Sequence, residues 1–178
     1  GAICAGADRV YVEKATWAET MAASRHALLD SRDSSAFEAV STSLLTGGME
    51  AVKISADITG LQGLCLKADT GPDGYNYDQA IWGNPLLIAP DGTATPLSSL
   101  KPVSVSVGWG TLLVNKNHQD KALEAGGRTF DRGFWAHAPS EIRFRLGGKY
   151  VRFEVWAGID QAAGKNGSAV FHVLEDNT

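Results

Sequence analysis

The chain has 178 residues, 44% of them hydrophobic and 20% charged, with a formal net charge of −4. That length accommodates one domain with a sizeable core. Acidic and basic residues are interspersed, and the absence of a basic patch or stripe argues against a nucleic-acid partner. No run of about 18 apolar residues appears, so insertion into a membrane is not expected.

The first expected element is a helix. Thr16 and Glu19 have capping-box spacing, and Trp17, Met21, Leu28 and Leu29 follow on one face. Asp30-Ser-Arg-Asp-Ser-Ser35 ends it. Residues 1–48 are therefore read as a helical extension and 49–178 as a β module.

After Gly47-Gly48 the apolar period becomes two. Val52, Ile54, Ala56 and Ile58 alternate with polar residues, and Leu64, Leu66 and Ala68 repeat the pattern. Pro85-Leu-Leu-Ile88 is a short apolar run. Further strands are expected at Val103–Val107, Leu112–Val114, Ile142–Leu146, Val151–Ala157 and Ala169–Val173. Turn signals at Gly71-Pro-Asp-Gly74, Asp91-Gly92 and Gly147-Gly148 separate them. Many short strands without a βαβ rhythm predict an antiparallel sandwich or barrel.

Enzyme chemistry is not evident. GxSxG, P-loop, HExxH and dinucleotide-binding signatures are all missing. His26, His118, His137 and His172 lack ligand spacing. Cys4 and Cys65 are far apart in sequence, and Cys65 sits in an apolar, strand-like setting that suits a buried thiol. A disulfide between them stays open.

Two segments carry candidate function. The first, Asp69 to Trp82, is a polar loop. Asp69, Asp73, Asn76 and Asp78 are candidate ligands for a structural calcium ion, which takes about six to eight oxygens. The alternative is a turn built from Asp, Asn and Gly. Tyr75, Asp78 and Trp82 also suit a sugar: an aromatic face covers the ring and polar groups take hydroxyls. Trp82 is equally compatible with a core position.

The second segment is Gly133-Phe-Trp-Ala-His-Ala-Pro-Ser-Glu-Ile142. Trp135, His137 and Glu141 are its candidate sugar contacts. His137 and Ser140 are equally suited to bonding local backbone. Trp109, between two glycines, is a further aromatic of undetermined exposure.

This second segment, followed by Leu146-Gly-Gly-Lys-Tyr-Val-Arg-Phe153, Gly158-Ile-Asp160 and Gly167-Ser-Ala-Val-Phe-His-Val173, resembles the NPCBM family of carbohydrate-binding modules. That family is grouped with carbohydrate-binding module family 51. The resemblance implies a jelly-roll β-sandwich of the galactose-binding-like type and no catalysis. It implies a galactose-containing glycan as partner, no required cofactor, and an extracellular, periplasmic or cell-surface location beside neighbouring domains of a larger protein. A structural or protein-interaction domain that kept the sandwich and lost the sugar site is the alternative. Ile58–Asp69 and Asp73–Pro85 resemble the family's C-terminal half placed upstream. A circular permutation is therefore expected, with residues 50–90 supplying the strands the family has last; a chain that completes its fold with a neighbour's strands, by domain swapping, is the alternative. Gln79-Ala-Ile-Trp82 stands where the family often has His-Ala-Asp-Trp, and Trp135 stands where it tends to have a small residue.

Overall fold

A computed structural model describes residues 37–74 and 76–177. The expected N-terminal helix, Cys4 and Tyr75 lie outside the described residues. The described chain is an antiparallel sandwich of two sheets, and among the described residues no helix is long and apolar enough to cross a membrane.

The first sheet is built on β4 (Gly63–Thr70), flanked by β12 (Ser140–Arg145) and β14 (Ser168–Glu175). Strand β7 (Ser104–Ser106) extends it beyond β12. Strands β1 (Val40–Ser41) and β2 (Leu45–Thr46) both pair with β14. The sheet therefore begins inside the stretch assigned from sequence to the helical extension. Two-residue strands carry too little alternation to be read in advance.

The second sheet is built on β5 (Gln79–Ile88) and β13 (Arg152–Ile159). Strand β3 (Val52–Asp57) lies outside β13, while β6 (Ala94–Pro96) and β11 (Gly133–His137) pair with β5. Strand β8 (Leu113–Val114) closes the far edge against β11. Strands from residues 52–88 thus pair within the chain with strands from residues 133–175.

Strand β5 is longer than the expected Pro85–Ile88 run, and β11 is a strand where a bend was expected. The reason is burial on both faces. Ala80, Trp82, Phe134 and Ala136 face the core between the sheets. Ile81 and Trp135 point outward into a second apolar cluster with Leu123, Ala125 and Phe130. Strands covered on both sides lose the alternation that marks a half-exposed strand.

The outer cluster is roofed by a hairpin of β9 (Leu123–Ala125) and β10 (Arg128–Phe130). Its turn is Gly126-Gly127, with φ of 58° and 81°. Two consecutive left-handed residues make the turn whose twist matches a tight hairpin, and glycine adopts them without steric cost.

Aromatic pairs knit the two sheets. Trp82 of β5 meets the edge of Phe171 of β14 with ring centroids 5.1 Å apart. Phe134 of β11 lies 5.6 Å from Phe144 of β12. Such pairs add about 0.5–1.5 kcal/mol each beyond area burial. Behind the first sheet, Cys65 is a buried free thiol with Ala39 and Leu174. Burial pushes its pKa up to about 12.

The placement of Trp82 makes a discriminating prediction. Trp82→Ala should cost about 3–5 kcal/mol by opening a core cavity. Equilibrium urea denaturation measures this. A surface stacking residue in the same place would leave stability nearly unchanged.

Candidate functional site

Register sets the site. In the β5–β11 pair, Gln79 lies opposite His137. In the β5–β13 pair, Ala80 lies opposite Ile159, and the Asp160 amide donates to the Gln79 carbonyl at 2.8 Å. The loop before β5, the Ala138-Pro139 bend after β11 and the turn after β13 therefore meet at one end of the sandwich.

At that end lies a cleft of about 570 Å³ lined by Asn76, Tyr77, Gln79, Trp109, His118 and His137. Trp109 is 54% exposed. Its loop is held through backbone, with the Gly108 amide donating to the His137 carbonyl at 3.0 Å. The Trp109 ring is 6.1 Å from His118 and 6.0 Å from His137, centroid to centroid.

Trp135 forms the underside of this group. It is buried, and His118 stacks on it at 5.2 Å. The Trp135 indole N–H donates to Asp160 Oδ2 at 3.0 Å, and the Ala162 amide donates to Asp160 Oδ1. Burial raises the Asp160 carboxyl above the ordinary value, opposed by the Ala162 and Trp135 donors, the nearby His118 and Asn117. Asn117 Oδ1 accepts the Gln119 and Lys121 amides, which shapes the turn that presents His118. His137 Nδ1 lies 2.7 Å from the Ala138 carbonyl. A carbonyl only accepts, so Nδ1 carries the hydrogen and the neutral ring has its acceptor at Nε2.

The loop preceding β5 is clamped against β14. Asp78 is fully buried, and its Oδ1 accepts the Ser168 amide at 2.8 Å. Asp73 Oδ1 accepts the Ser168 hydroxyl at 2.8 Å. A Cβ on Gly167 would fall 2.1 Å from the Tyr77 carbonyl, so the close approach of loop and turn requires glycine there. Burial raises the Asp78 carboxyl, with Asp73 adding to the rise and the Ser168 and Gly71 amides and His137 opposing it.

The two segments singled out from sequence thus meet, through a changed set of residues. Asn76 and His137 line the cleft. Trp82 is sealed in the core and cannot stack on a ligand. Trp135 is a floor under other rings rather than an open platform. Glu141 sits on β12 in the other sheet, where it is bonded to Arg143. Asp78 holds backbone. Sequence reasoning missed His118, Tyr77 and Gln79 and left Trp109 undecided. The glycines around Trp109 and the Asn117-His-Gln-Asp120 turn were the available signals.

Of the carboxylates of the expected calcium loop, Asp73 and Asp78 come together at Ser168, while Asp69 is engaged elsewhere, with Lys67 and His172. Among the described residues no group of three or more His, Cys, Asp or Glu side chains converges as metal ligands would. This set does not fit the several convergent oxygens that calcium takes.

One constellation has the composition of a hydrolytic triad. Ser41 Oγ lies 2.6 Å from His172 Nδ1, and His172 Nε2 lies 2.9 Å from Asp69 Oδ2. Its exposure is reversed. Ser41 is 6% exposed, whereas the Asp69 side chain is 44% exposed. A catalytic serine must reach substrate and its orienting carboxylate is buried. These residues are cross-strand neighbours that tie β1 and β4 to β14.

The fold is a two-sheet antiparallel sandwich with an aromatic, amide-rimmed cleft at one end. The chain matches the NPCBM/NEW2 domain over residues 31–88 and 93–178, and it belongs to that family of non-catalytic carbohydrate-binding modules. Over 77 residues it is 36% identical to a Renibacterium salmoninarum protein bearing the name endo-alpha-N-acetylgalactosaminidase. That stretch is 40% of this chain and spans 5% of the relative's length. No solved structure matches the chain.

The buried carboxyl of Asp78 makes stability pH-dependent. A raised folded-state pKa means that the folded protein holds its proton more tightly than the unfolded chain. The resulting stability is complete below about pH 4 and is lost as pH rises through the folded value. Asp78→Asn keeps an acceptor for the Ser168 amide and cannot ionise. Relative to wild type it should be more stable at pH 7, with the gain shrinking towards pH 4. Urea unfolding across that range checks this, and a gain that grows on acidification contradicts it.

Proposed function

We propose that this module holds a galactose-type glycan in the Trp109–His118–His137 cleft, as a non-catalytic accessory of a larger exported protein. The observation that carries the reading is the half-exposed Trp109 ring standing beside two imidazoles and the Gln79 and Asn76 amides. A sugar offers an apolar C–H face to the indole and a ring of hydroxyls to groups that donate and accept. The family's carbohydrate-binding character supports this ligand class. The relative's name, which contains N-acetylgalactosamine, supports galactose configuration, and the small share of its length that is matched supports an accessory role.

Affinity should be modest. About twelve non-hydrogen atoms at about 0.3 kcal/mol each give roughly 4 kcal/mol, a Kd near 1 mM.

Titration calorimetry with galactose, N-acetylgalactosamine and glucose tests the reading. Galactose-configured sugars should bind best. Trp109→Ala should weaken them about tenfold or more, roughly 1.4 kcal/mol, with an unchanged melting temperature. Silence towards all three sugars would leave a sandwich serving structure or protein interaction instead, and sugar binding unaffected by Trp109→Ala would move the site away from this cleft.

A further inference from the structure

A second cleft adjoins the first. It has a volume of about 460 Å³ and shares Asn76 and Tyr77 with the Trp109 cleft. Both volumes fall within the range of small-ligand sites, about 300–1,000 Å³. Tyr77 is 55% exposed and stands between them as a ridge. Its backbone is left-handed, with φ of 64°. The ridge is fixed from below by the contact of its carbonyl with Gly167 and by the Asp73 and Asp78 bonds to Ser168. A rigid ridge between two open clefts holds both in fixed relation before any ligand arrives.

The lining of the second cleft has the chemistry of a sugar subsite. Leu44 and Pro72 supply apolar surface, while Asp73, Asn166 and Lys165 supply polar atoms. Asp73 uses Oδ1 for the Ser168 hydroxyl. A carboxylate has about four lone-pair positions, so acceptor capacity remains. Asn166 both donates and accepts, and Lys165 donates. An acidic and a basic side chain facing one cleft favour a neutral, hydroxyl-rich guest over an anion or a cation.

We propose that this second cleft is a distinct subsite, and that the ligand is a neutral glycan of at least two sugar units. The terminal unit occupies the Trp109 cleft, and the next crosses Tyr77 to contact Asp73, Lys165 and Asn166. The inference rests on the reading of the first cleft as a sugar site. It adds a second recognition point on the turn between β13 and β14.

The test compares galactose with a panel of disaccharides ending in galactose through β1-3, β1-4 and α1-3 links, by titration calorimetry and saturation-transfer NMR. At least one disaccharide should bind about tenfold more tightly than galactose, with saturation reaching both rings. The double variant Lys165→Ala/Asn166→Ala should reduce that disaccharide to the affinity of galactose while leaving galactose binding and the melting temperature unchanged. If galactose binds and no disaccharide binds more tightly, the subsite proposal falls while the first-cleft reading stands. An equal loss of galactose and disaccharide in the double variant also overturns it. If no saccharide of either kind binds, both readings fall.

Discussion

The fold depends on the apolar demand of β5 and β11 on both of their faces. Between the sheets, Trp82 and Phe134 pack across to Phe171 and Phe144. On the outer face, Ile81 and Trp135 need a cover of their own, and the β9–β10 hairpin supplies it with Leu123, Ala125 and Phe130. The cleft lies beside Trp135, whose ring His118 and Trp109 flank. The cleft is therefore continuous with a packed apolar layer, and the stiffness of that layer is passed to the rings above it.

Polar groups around this end serve geometry before chemistry. Asp160 fixes the Trp135 indole, Asn117 shapes the His118 turn, and Asp73 with Asp78 pins the Tyr77 loop to Ser168. The buried Asp160 receives N–H donors on both oxygens, while the buried Asp78 receives the Ser168 amide on Oδ1 and leaves Oδ2 without a hydrogen bond. Burial still raises Asp78 and Asp160, so part of the stability that these groups could confer is withheld at neutral pH. Sites built from such pinned loops lose little freedom when a ligand arrives.

Most of the sandwich was legible because β3, β4, β12, β13 and β14 each place alternate residues in the core. The pattern failed where both faces are covered. Gly133–His137 is buried throughout, and a run without alternation reads as a bend when glycine and proline flank it. The hairpin escaped notice because its strands are three residues long, although Gly126-Gly127 marked the turn. For the candidate site, the two segments singled out from sequence meet at one end of the sandwich, while Trp82, Trp135 and Glu141 lie outside the cleft's lining. Trp82 and Trp135 lie on strands and are buried, whereas Trp109 lies in a loop and is exposed, and the depth of the strand residues follows from register and from the hairpin above. Glu141 was assigned by proximity to His137 in sequence, yet β11 and β12 belong to different sheets.

The Trp109 loop is anchored at its ends by Val107 and Leu112, which pack against the layer between the sheets, while Trp109 at its centre is half-exposed and meets the scaffold through ring edges. Its central side chain is thus decoupled from folding. On the proposed reading of the cleft, a lineage carrying this domain can exchange that residue and drift from one glycan preference to another. Changes at Trp135 or Asp160 instead disturb the platform itself. Ligand preference should therefore diverge faster among such modules than their architecture does.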